Sequence, residues 1–248
     1  MSENKLCIVI PVYRHGKQLG KTLENLSIYD LDIILVDDGN DSETKNIIAK
    51  LHQKFSQIIA VETLEENQGK GIAVTLGAKK AQELGYTHML QIDADGQHNS
   101  KDIPKFIEEM NKYPEDMISG LPQYDGSIPK SRLHGRKITN FWVAIETWSL
   151  NIPEAMCGFR IYPLKSFLKL SEFKKFASRM SFDIDVLVRL YWFGVDIRFI
   201  PTKVIYPKDG YSNFAMLKDN VRISLTHTRL FFGMLLRIPM LLLRKLRK

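Results

Sequence analysis

Four apolar runs in the first part of the chain are each followed by a turn or by a segment with helical spacing. The runs are rich in β-branched or other apolar residues and are short enough to be buried strands. They are Leu6–Val12, Leu31–Val36, Ile58–Thr63 and His88–Ile92. Each run ends in proline, aspartate, glutamate or glycine within a few residues, which indicates that the strand stops there.

The segments between and after these runs have apolar residues at helical spacing. In the last of them, Ile103, Phe106, Ile107 and Met110 fall at i, i+3, i+4 and i+7. The predicted helices are Gly16–Leu26, Ser42 (as the capping residue) to about Phe55, a helix opening within Glu66–Ala73 and carrying Ile72 to Leu84, and Asp102–Tyr113. Four strand–helix repeats predict an α/β fold whose mainly parallel sheet is covered by helices on both faces.

The pattern is less regular in the second half of the chain. The predicted elements there are a short strand Met117–Gly120, a long helix Lys130–Leu150, a strand-like segment Cys157–Pro163, a helix Phe182–Phe193 and an extended segment Ile197–Tyr206 interrupted by Pro201. No internal repeat or low-complexity linker divides the chain, so we predict one main domain.

The C-terminal run Leu230–Leu243 is apolar but is broken by Gly233, Arg237 and Pro239. A membrane-spanning helix needs ~20 apolar residues, so this run is too short and too interrupted. Basic residues around an apolar helix favour a position in the interface of an anionic membrane. The alternative is a buried terminal helix with a basic tail.

Net charge is +7, from 35 Lys and Arg against 28 Asp and Glu, but it is unevenly distributed. The last twenty residues carry six basic residues and no acid, which leaves +1 for the other 228. A nearly neutral body argues against a nucleic-acid-binding surface, so no nucleic-acid partner is expected. Cys7 and Cys157 lie far apart and no secretory signal is recognisable, which fits a reducing, cytoplasmic compartment.

Candidate chemistry lies where predicted strands end. In Gln91–His98, Asp93 and Asp95 are spaced i, i+2 and Gly96 follows, at the strand end where α/β sheets bind ligands. Two carboxylates there suit Mg²⁺ or Mn²⁺ holding phosphates, although an acidic turn would look the same. Lys70 lies between two glycines at a helix start, where backbone N–H groups and a cation can hold phosphate; the alternative is an exposed turn with a solvated lysine.

Five short motifs, taken together, resemble family 2 glycosyltransferases of the GT-A fold. They are Pro11-Val12-Tyr13, Val36-Asp37-Asp38-Gly39, Asn67-Gln68-Gly69-Lys70-Gly71, Asp93-Ala94-Asp95 and Gly158-Phe159-Arg160. The resemblance extends from about Leu6 to Tyr206 and is strongest to the polyprenyl- or dolichyl-phosphate sugar synthase branch. It implies a GT-A domain over residues 1–210, with a donor half to about 120 and an acceptor half from about 121. Residues 211–248 would form a basic amphipathic helical segment at the membrane.

The resemblance also implies roles for individual residues. Residues expected to bind the nucleotide sugar are Pro11, Val12, Tyr13, Asp37, Asp38, Asn67, Lys70, Asp93, Ala94 and Asp95. Asp38 would accept a hydrogen bond from the base, and Lys70 would lie near the diphosphate. Asp95 would ligate Mg²⁺ or Mn²⁺, with Asp93 and His98 as further candidate ligands. For His98, a hydrogen bond within the turn is the alternative to metal ligation.

The acceptor side rests on a second resemblance within Phe182–Leu190. The family's register puts a catalytic base at Asp183, although Phe182 stands where glutamate is usual. Asp185 is the alternative, because two residues that are two positions apart on a helix face different sides. Either could also be a carboxylate favoured by the helix N-terminus. Arg160, Arg132, Arg136 and Gln97 are the further candidates for contacting the leaving diphosphate or an acceptor phosphate.

These expectations combine into one function. The chain is expected to transfer a sugar, with inversion and a divalent metal, from a nucleotide-diphosphate sugar to a lipid phosphate or lipid hydroxyl at the cytoplasmic membrane face. Synthesis of a cell-envelope glycan or glycolipid would be its setting. The alternatives are a soluble enzyme acting on a sugar or protein hydroxyl, and a non-catalytic nucleotide-binding protein. The turn-rich Tyr206–Ser212 is interpreted as a lid over the donor.

Overall fold

The computed structural model describes residues 4–124, 128, 130–204 and 215–246. The strands in this part of the chain are β1 (Leu6–Val12), β2 (Ile33–Asp38), β3 (Ile58–Leu64), β4 (His88–Gln91), β5 (Met117–Tyr124), β6 (Arg160–Pro163) and β7 (Ile197–Val204). The helices are α1 (Gly16–Leu26), α2 (Ser42–Lys54), α3 (Lys70–Glu83), α4 (Ile103–Lys112), α5 (Lys130–Thr147), α6 (Leu164–Phe173), α7 (Phe182–Trp192), α8 (Met216–Leu235) and α9 (Ile238–Leu246).

The strands form one sheet in the order β3-β2-β1-β4-β6-β5-β7. All neighbouring pairs are parallel except those made by β6, which runs antiparallel to both β4 and β5. Gln91 of β4 is paired with Arg160 of β6. The sheet confirms the predicted α/β fold, and its single reversed strand lies near the middle.

Alternate residues of β1 enter two different cores, as expected for a strand covered on both faces. Cys7 and Val9 pack with residues of α3, α5, α6, α7 and α8. Ile8 and Ile10 pack with residues of α1, α2 and α4 on the other face. Continuous apolar character, rather than alternation, therefore identified the strand correctly.

Several predicted boundaries differ from the observed ones. Asp41, rather than Ser42, caps α2, because its carboxylate accepts a hydrogen bond of 2.8 Å from the Thr44 N–H. Strand β5 continues to Tyr124 instead of ending at Gly120. Strand β7 runs through Pro201 without interruption, which is possible because β7 is an edge strand.

The C-terminal segment is two helices rather than one, with the break at Leu236 and Arg237. Helix α8 packs on α5 and α7 and buries Ile223, Leu230 and Met234 in the core. Within the predicted interfacial run, Leu230, Met234 and Leu241 are buried, whereas most of the other side chains are exposed. Among the described residues, no helix combines the length and the apolar character that crossing a bilayer requires.

Helix α6 was not anticipated from the sequence. It buries four residues along one side: Leu164, Phe167, Leu168 and Leu170. Their spacing is helical, but the helix is short and follows a strand, so the sequence did not indicate it. The segment interpreted as a lid, Tyr206–Ser212, lies outside the described residues.

Candidate active site

The candidate site lies at the sheet edge formed by the carboxyl ends of β1, β2 and β4. Because β6 runs the opposite way, the residues that precede it reach this same edge. Gly158 is so close to the residues after β4 that a Cβ placed on it would lie 2.4 Å from Asp93 Oδ2 and 2.6 Å from Lys70 Nζ. Parts of the chain far apart in sequence are thus brought within contact distance.

Asp38, at the end of β2, holds the turn that begins α3. Its carboxylate accepts hydrogen bonds from the Gln68 N–H at 2.8 Å, the Gly69 N–H at 3.0 Å and the Asn67 side-chain amide at 2.8 Å. Burial raises the pKa of Asp38, and the backbone N–H groups partly offset this rise. Gly69 has a positive φ of 97°, which glycine adopts without strain.

Asp37 likewise holds a loop, the one that follows β2 and contains Asn40. Its carboxylate accepts from the Asn40 backbone N–H at 2.9 Å and the Asn40 side-chain amide at 2.6 Å. The Asn40 side chain in turn accepts from the Arg14 N–H at 2.7 Å and so fixes the loop after Pro11, Val12 and Tyr13. Asp37 and Asp38, both predicted to bind the nucleotide sugar, thus shape two loops at the sheet edge.

Lys70 is the centre of the site. Its ammonium group lies 2.8 Å from Asp93 Oδ1 and 2.9 Å from Asp183 Oδ2, at the first residue of α3. Burial alone would lower the Lys70 pKa, but the charges of Asp183 and Asp93 raise it above its ordinary value. Burial alone would likewise raise the Asp93 pKa, but Lys70 and His98 hold it below its usual range. Lys70 and Asp93 are therefore both charged at neutral pH.

Asp183 is fixed from three sides. Besides Lys70, the Gln91 amide donates to Asp183 Oδ1 at 3.3 Å, and an Arg160 nitrogen lies 3.8 Å from the same oxygen. Tyr162 donates to the Gln91 side-chain carbonyl at 3.2 Å and so holds that amide in place. The Asp183 side chain retains 9% exposure, so it remains reachable from the site.

The predicted contact of Arg160 with substrate phosphate is corrected by its burial. Its side chain is 0% exposed, and its guanidinium donates to the backbone carbonyls of Asp183 at 2.7 Å and Ala155 at 2.8 Å. A guanidinium so enclosed holds the start of α7 in position and does not reach a ligand.

Asp185, the alternative base, faces away from the site. Its carboxylate accepts from the Ala177 N–H at 2.8 Å and lies 3.4 Å from Arg189. Of the two aspartates, the structure brings only Asp183 to Lys70 and Asp93. The reason is the one anticipated: the two side chains leave the helix in different directions.

The metal candidates are arranged unequally. Asp95 makes one hydrogen bond within the described residues, to the Gln97 N–H at 3.0 Å, whereas Asp93 is already paired with Lys70. His98 Nε2 lies 3.7 Å from Asp93 and its ring stacks on Phe159. Within the described part of the chain, no three His, Cys, Asp or Glu side chains form a metal-binding group.

This donor set fits Mg²⁺ or Mn²⁺ held partly by substrate. Such ions commonly take one or two protein carboxylates and complete their shell with phosphate oxygens and water. Asp95 is the carboxylate best placed to serve, since no cation competes for it among the described residues. Asp93 would have to share its oxygens with Lys70.

The basic residues at the start of α5 are only partly available to contact a phosphate. Arg136 is ion-paired with the buried Glu154 at 2.7 Å and lies over the Tyr124 ring, with 5.7 Å between Arg136 Cζ and the ring centroid. Arg132 is one helical turn earlier and is exposed. The structure therefore places Arg132 towards solvent and ties Arg136 to the loop before β6.

Sequence reasoning missed the supporting roles of several residues around the site. Gly71 donates its N–H to the Ser178 carbonyl at 2.8 Å, and Arg179 donates to the Asn67 side-chain carbonyl at 2.5 Å. Gln91 and Tyr162 hold Asp183. Gln91 carried a signal, being a polar residue inside an apolar strand; the loop at Ser178 and Arg179 carried none.

An α/β sheet with a glycine–lysine turn and paired carboxylates at one edge defines a nucleotide-binding class of protein. The sequence profile described as "Glycosyl transferase family 2" matches residues 7–171. The chain belongs to this family, and it lies near the polyprenyl-phosphate sugar synthase branch.

Two relatives of named activity cover most of the chain. A UDP-N-acetylglucosamine–dolichyl-phosphate N-acetylglucosaminyltransferase of Methanococcus voltae is 28% identical over 222 residues, which is 83% of this chain and 88% of that protein. The human dolichyl-phosphate β-glucosyltransferase is 24% identical over 218 residues, or 78% of this chain and 65% of that protein.

Solved structures establish the GT-A fold. Glucosyl-3-phosphoglycerate synthase of Mycobacterium tuberculosis, in complex with Mn²⁺ and UDP-glucose, superposes with a TM-score of 0.67 at 12% identity. The match covers 94% of this chain and 79% of that one. TarS of S. aureus in complex with UDP-GlcNAc gives a TM-score of 0.61 at 16% identity, over 91% and 66% of the two chains.

Proposed function

We propose that this glycosyltransferase transfers a sugar, with inversion, from a nucleotide-diphosphate sugar to a lipid phosphate at the cytoplasmic face of a membrane. The observation that carries the proposal is the meeting of Lys70, Asp93 and Asp183 beside the open carboxylate of Asp95. The names of relatives that act on dolichyl phosphate support the choice of acceptor.

The donor half of the reaction needs positive charge where the sugar–phosphate bond breaks. Lys70 supplies a cation at the start of α3, where the helix dipole also attracts phosphate. A divalent metal held by Asp95 would stabilise the negative charge that develops on the leaving diphosphate. Asp93 keeps Lys70 charged and directed at the site.

Inversion requires a single displacement at the anomeric carbon. The acceptor oxygen forms the new bond on one face as the bond to the diphosphate oxygen breaks on the other. A phosphate monoester has a second pKa near ~6 and is already anionic at neutral pH, so it needs little help from a base. Arg132, exposed on α5, is the cation proposed to meet that acceptor phosphate.

A hydroxyl acceptor is the second candidate, and the position of Asp183 favours it. A hydroxyl must lose its proton during attack, and a base in hydrogen-bond reach contributes ~10²–10⁴-fold. Asp183 is the carboxylate at the site that could receive this proton, and 9% of its side chain is exposed. The substitution Asp183→Asn therefore separates the two acceptor classes.

Membrane contact is proposed through α8 and α9. Exposed apolar side chains lie along both helices together with basic residues; they include Leu225, Phe232, Leu236, Leu243 and Leu246. Such a surface is typical of proteins that lie on anionic membranes. A lipid-linked acceptor in a cell-envelope glycan or glycolipid pathway fits this placement.

The proposal is tested by nucleoside-diphosphate release from a panel of nucleotide sugars with Mg²⁺ or Mn²⁺. We expect turnover with one donor, and a loss of at least ~100-fold in Asp95→Asn, because the leaving group loses its stabilising metal. Asp30→Asn, an exposed acid on the loop after α1, is the matched control and should behave like the parent. No donor turnover, or equal activity of Asp95→Asn and the parent, would overturn the proposal.

A further inference from the structure

A second cleft lies away from the sheet edge, between α6, α7 and the corner where α8 meets α9. Its volume is about 550 Å³, within the ~300–1,000 Å³ typical of ligand pockets. Asp185, on the side of α7 opposite to Asp183, is at its base. The cleft is therefore separate from the donor site.

Positive charge dominates this cleft. Five cationic side chains and one carboxylate line it; they are Lys174, Lys175, Arg189, Arg229, Arg237 and Asp185. Asp185 can balance one of these charges, and it is occupied by Arg189 at 3.4 Å. The remaining cations have no acid in the cleft to pair with.

Arg229 on α8 and Arg237 at the corner form no ion pairs within the described part of the chain. Arg229 makes no hydrogen bond or ion pair with the described part of the chain. Arg237 donates to the Gly233 carbonyl at 2.9 Å and lies over the Trp192 ring, with its Cζ 4.7 Å from the ring centroid. Burial lowers the Arg189 pKa, and the charges of Arg229 and Arg237 lower it despite the opposing effect of Asp185. An anion in the cleft would relieve this repulsion.

The rest of the lining is apolar. Phe173, Trp192 and Met240 border the cations, and Phe173 is largely exposed. Gly233 allows α8 to approach Trp192 closely, since a Cβ there would lie 2.9 Å from the indole ring. Exposed cations beside apolar side chains match a molecule with an anionic head and a hydrocarbon tail.

We propose that this cleft binds the phosphate headgroup of an anionic membrane lipid. The inference deepens the proposed membrane contact and rests on it for its setting, but lipid binding does not require that the donor reaction occur. Charge complementarity, the apolar part of the lining and the exposed side chains of Leu236 and Leu243 favour a lipid over a free phosphate, which would leave the apolar lining without a partner.

Vesicle co-flotation of the full chain tests the proposal. Vesicles of phosphatidylcholine alone are compared with vesicles that also contain phosphatidylglycerol, for the parent and the variant Arg229→Gln/Arg237→Gln. We expect binding to the anionic vesicles, and an about 30-fold lower partition coefficient in the variant. The control Lys17→Gln/Lys21→Gln removes the same charge from exposed positions on α1 and should change partitioning less than two-fold.

Equal loss in the two double variants would overturn the proposal, because the attraction would then be general rather than local. Loss in neither variant would overturn it as well. Arg229→Gln alone guards against misfolding, since its side chain has no partner within the described residues; it should weaken binding about 5-fold with an unchanged melting temperature.

A soluble probe separates the possible occupants. Dihexanoylphosphatidylglycerol below its critical micelle concentration, without divalent metal, should raise the melting temperature of the parent but not of Arg229→Gln/Arg237→Gln. Inorganic phosphate at the same concentration should raise it much less. An equal effect of phosphate, or a shift only with a poly-glutamate peptide, would overturn the lipid assignment. Donor turnover in detergent, measured on the same variants, reports the proposed glycosyl transfer separately: it should be unchanged.

Discussion

Gly158 determines how closely the central ion pair can approach the strand β6. Any side chain there would overlap both Asp93 and Lys70, at 2.4 Å and 2.6 Å from the new Cβ. The pair cannot simply move aside, because Lys70 is also held by Asp183. A glycine that the sequence places in a strand-like segment is a requirement for close approach.

The substitution Gly158→Ala should therefore impair donor use. We expect at least a ~10-fold rise in KM for the nucleotide sugar, since Lys70 must leave the position in which it meets phosphate. Gly20→Ala is the control, because a Cβ on Gly20 meets only Leu51 at an ordinary 3.8 Å. Steady-state kinetics on both variants make the comparison, and an unchanged KM in Gly158→Ala would contradict the geometry.

Lys70→Met should destabilise the fold by about 2 kcal/mol near neutral pH, because Asp93 and Asp183 lose the cation that both of them contact. The cost is below the ~3–5 kcal/mol of a fully enclosed pair, since Lys70 keeps 17% exposure. In the parent, the lowered Asp93 pKa stabilises the fold above pH ~4, and this contribution is lost as pH falls towards the folded-state pKa.

The difference between parent and Lys70→Met should accordingly be largest at pH 7 and shrink towards pH ~4, where the Asp93 carboxylate of the variant, no longer paired with Lys70, takes up a proton. Urea unfolding across this range measures it. Lys54→Met, which breaks an exposed pair with Glu24, should cost less than ~1 kcal/mol. A difference that grows on acidification would refute the assignment of charges.

At the scale of elements, α7 serves two sites with opposite sides. Every residue from Phe182 to Trp192 is buried, so the helix has no solvent face. Asp183 is directed to the sheet edge and Asp185 to the second cleft. The two aspartates are only two positions apart on the helix, yet they belong to different sites.

The two aspartates should separate in function. Asp185→Asn is expected to keep kcat within about two-fold while lowering stability, because its Arg189 contact and the hydrogen bond from the Ala177 N–H weaken. Asp183→Asn should lose less than ~10-fold with a lipid-phosphate acceptor and ~10²-fold or more with a hydroxyl acceptor. Matched kinetics and urea unfolding on both variants test this; a larger loss of kcat in Asp185→Asn would be inconsistent with the structure.

The strand–helix repeats were predictable because local apolar runs determine them, and the α/β fold followed. The direction of β6 was not, since a short apolar strand fits a sheet either way and only its neighbours decide. Apolar periodicity could not predict which side of α7 faces the site, because a helix that is buried on all sides has no apolar face to orient it. Arg160 was misassigned for a related reason: its charge suggested a ligand, whereas its position on a central strand encloses it.

At the scale of the whole molecule, basic charge is concentrated in the last twenty residues while the body is nearly neutral. Part of that charge is used internally, since Arg244 contacts the Tyr191 ring and donates to the Val195 carbonyl at 2.9 Å. Two others, Arg229 and Arg237, line the cleft between α6, α7 and the α8–α9 corner, where Lys174 and Lys175 add to the positive charge.

Activity on an acceptor embedded in anionic vesicles should therefore fall as salt rises. Between ~0.05 M and ~0.5 M NaCl, screening shortens the range of the attraction several-fold, and we expect turnover to drop by ~5-fold or more. The same acceptor in neutral detergent is the control and should show less than a two-fold change. Equal salt dependence in the two settings would show that the charge acts on the reaction itself rather than on surface attachment.

The contact between Lys70 and Asp183 joins residues 113 positions apart. The stretch that matches the family ends at residue 171, before Asp183. A shortened protein limited to that stretch would carry all five motifs and still lack the third charge of its centre, so its motifs alone would overstate what it can do.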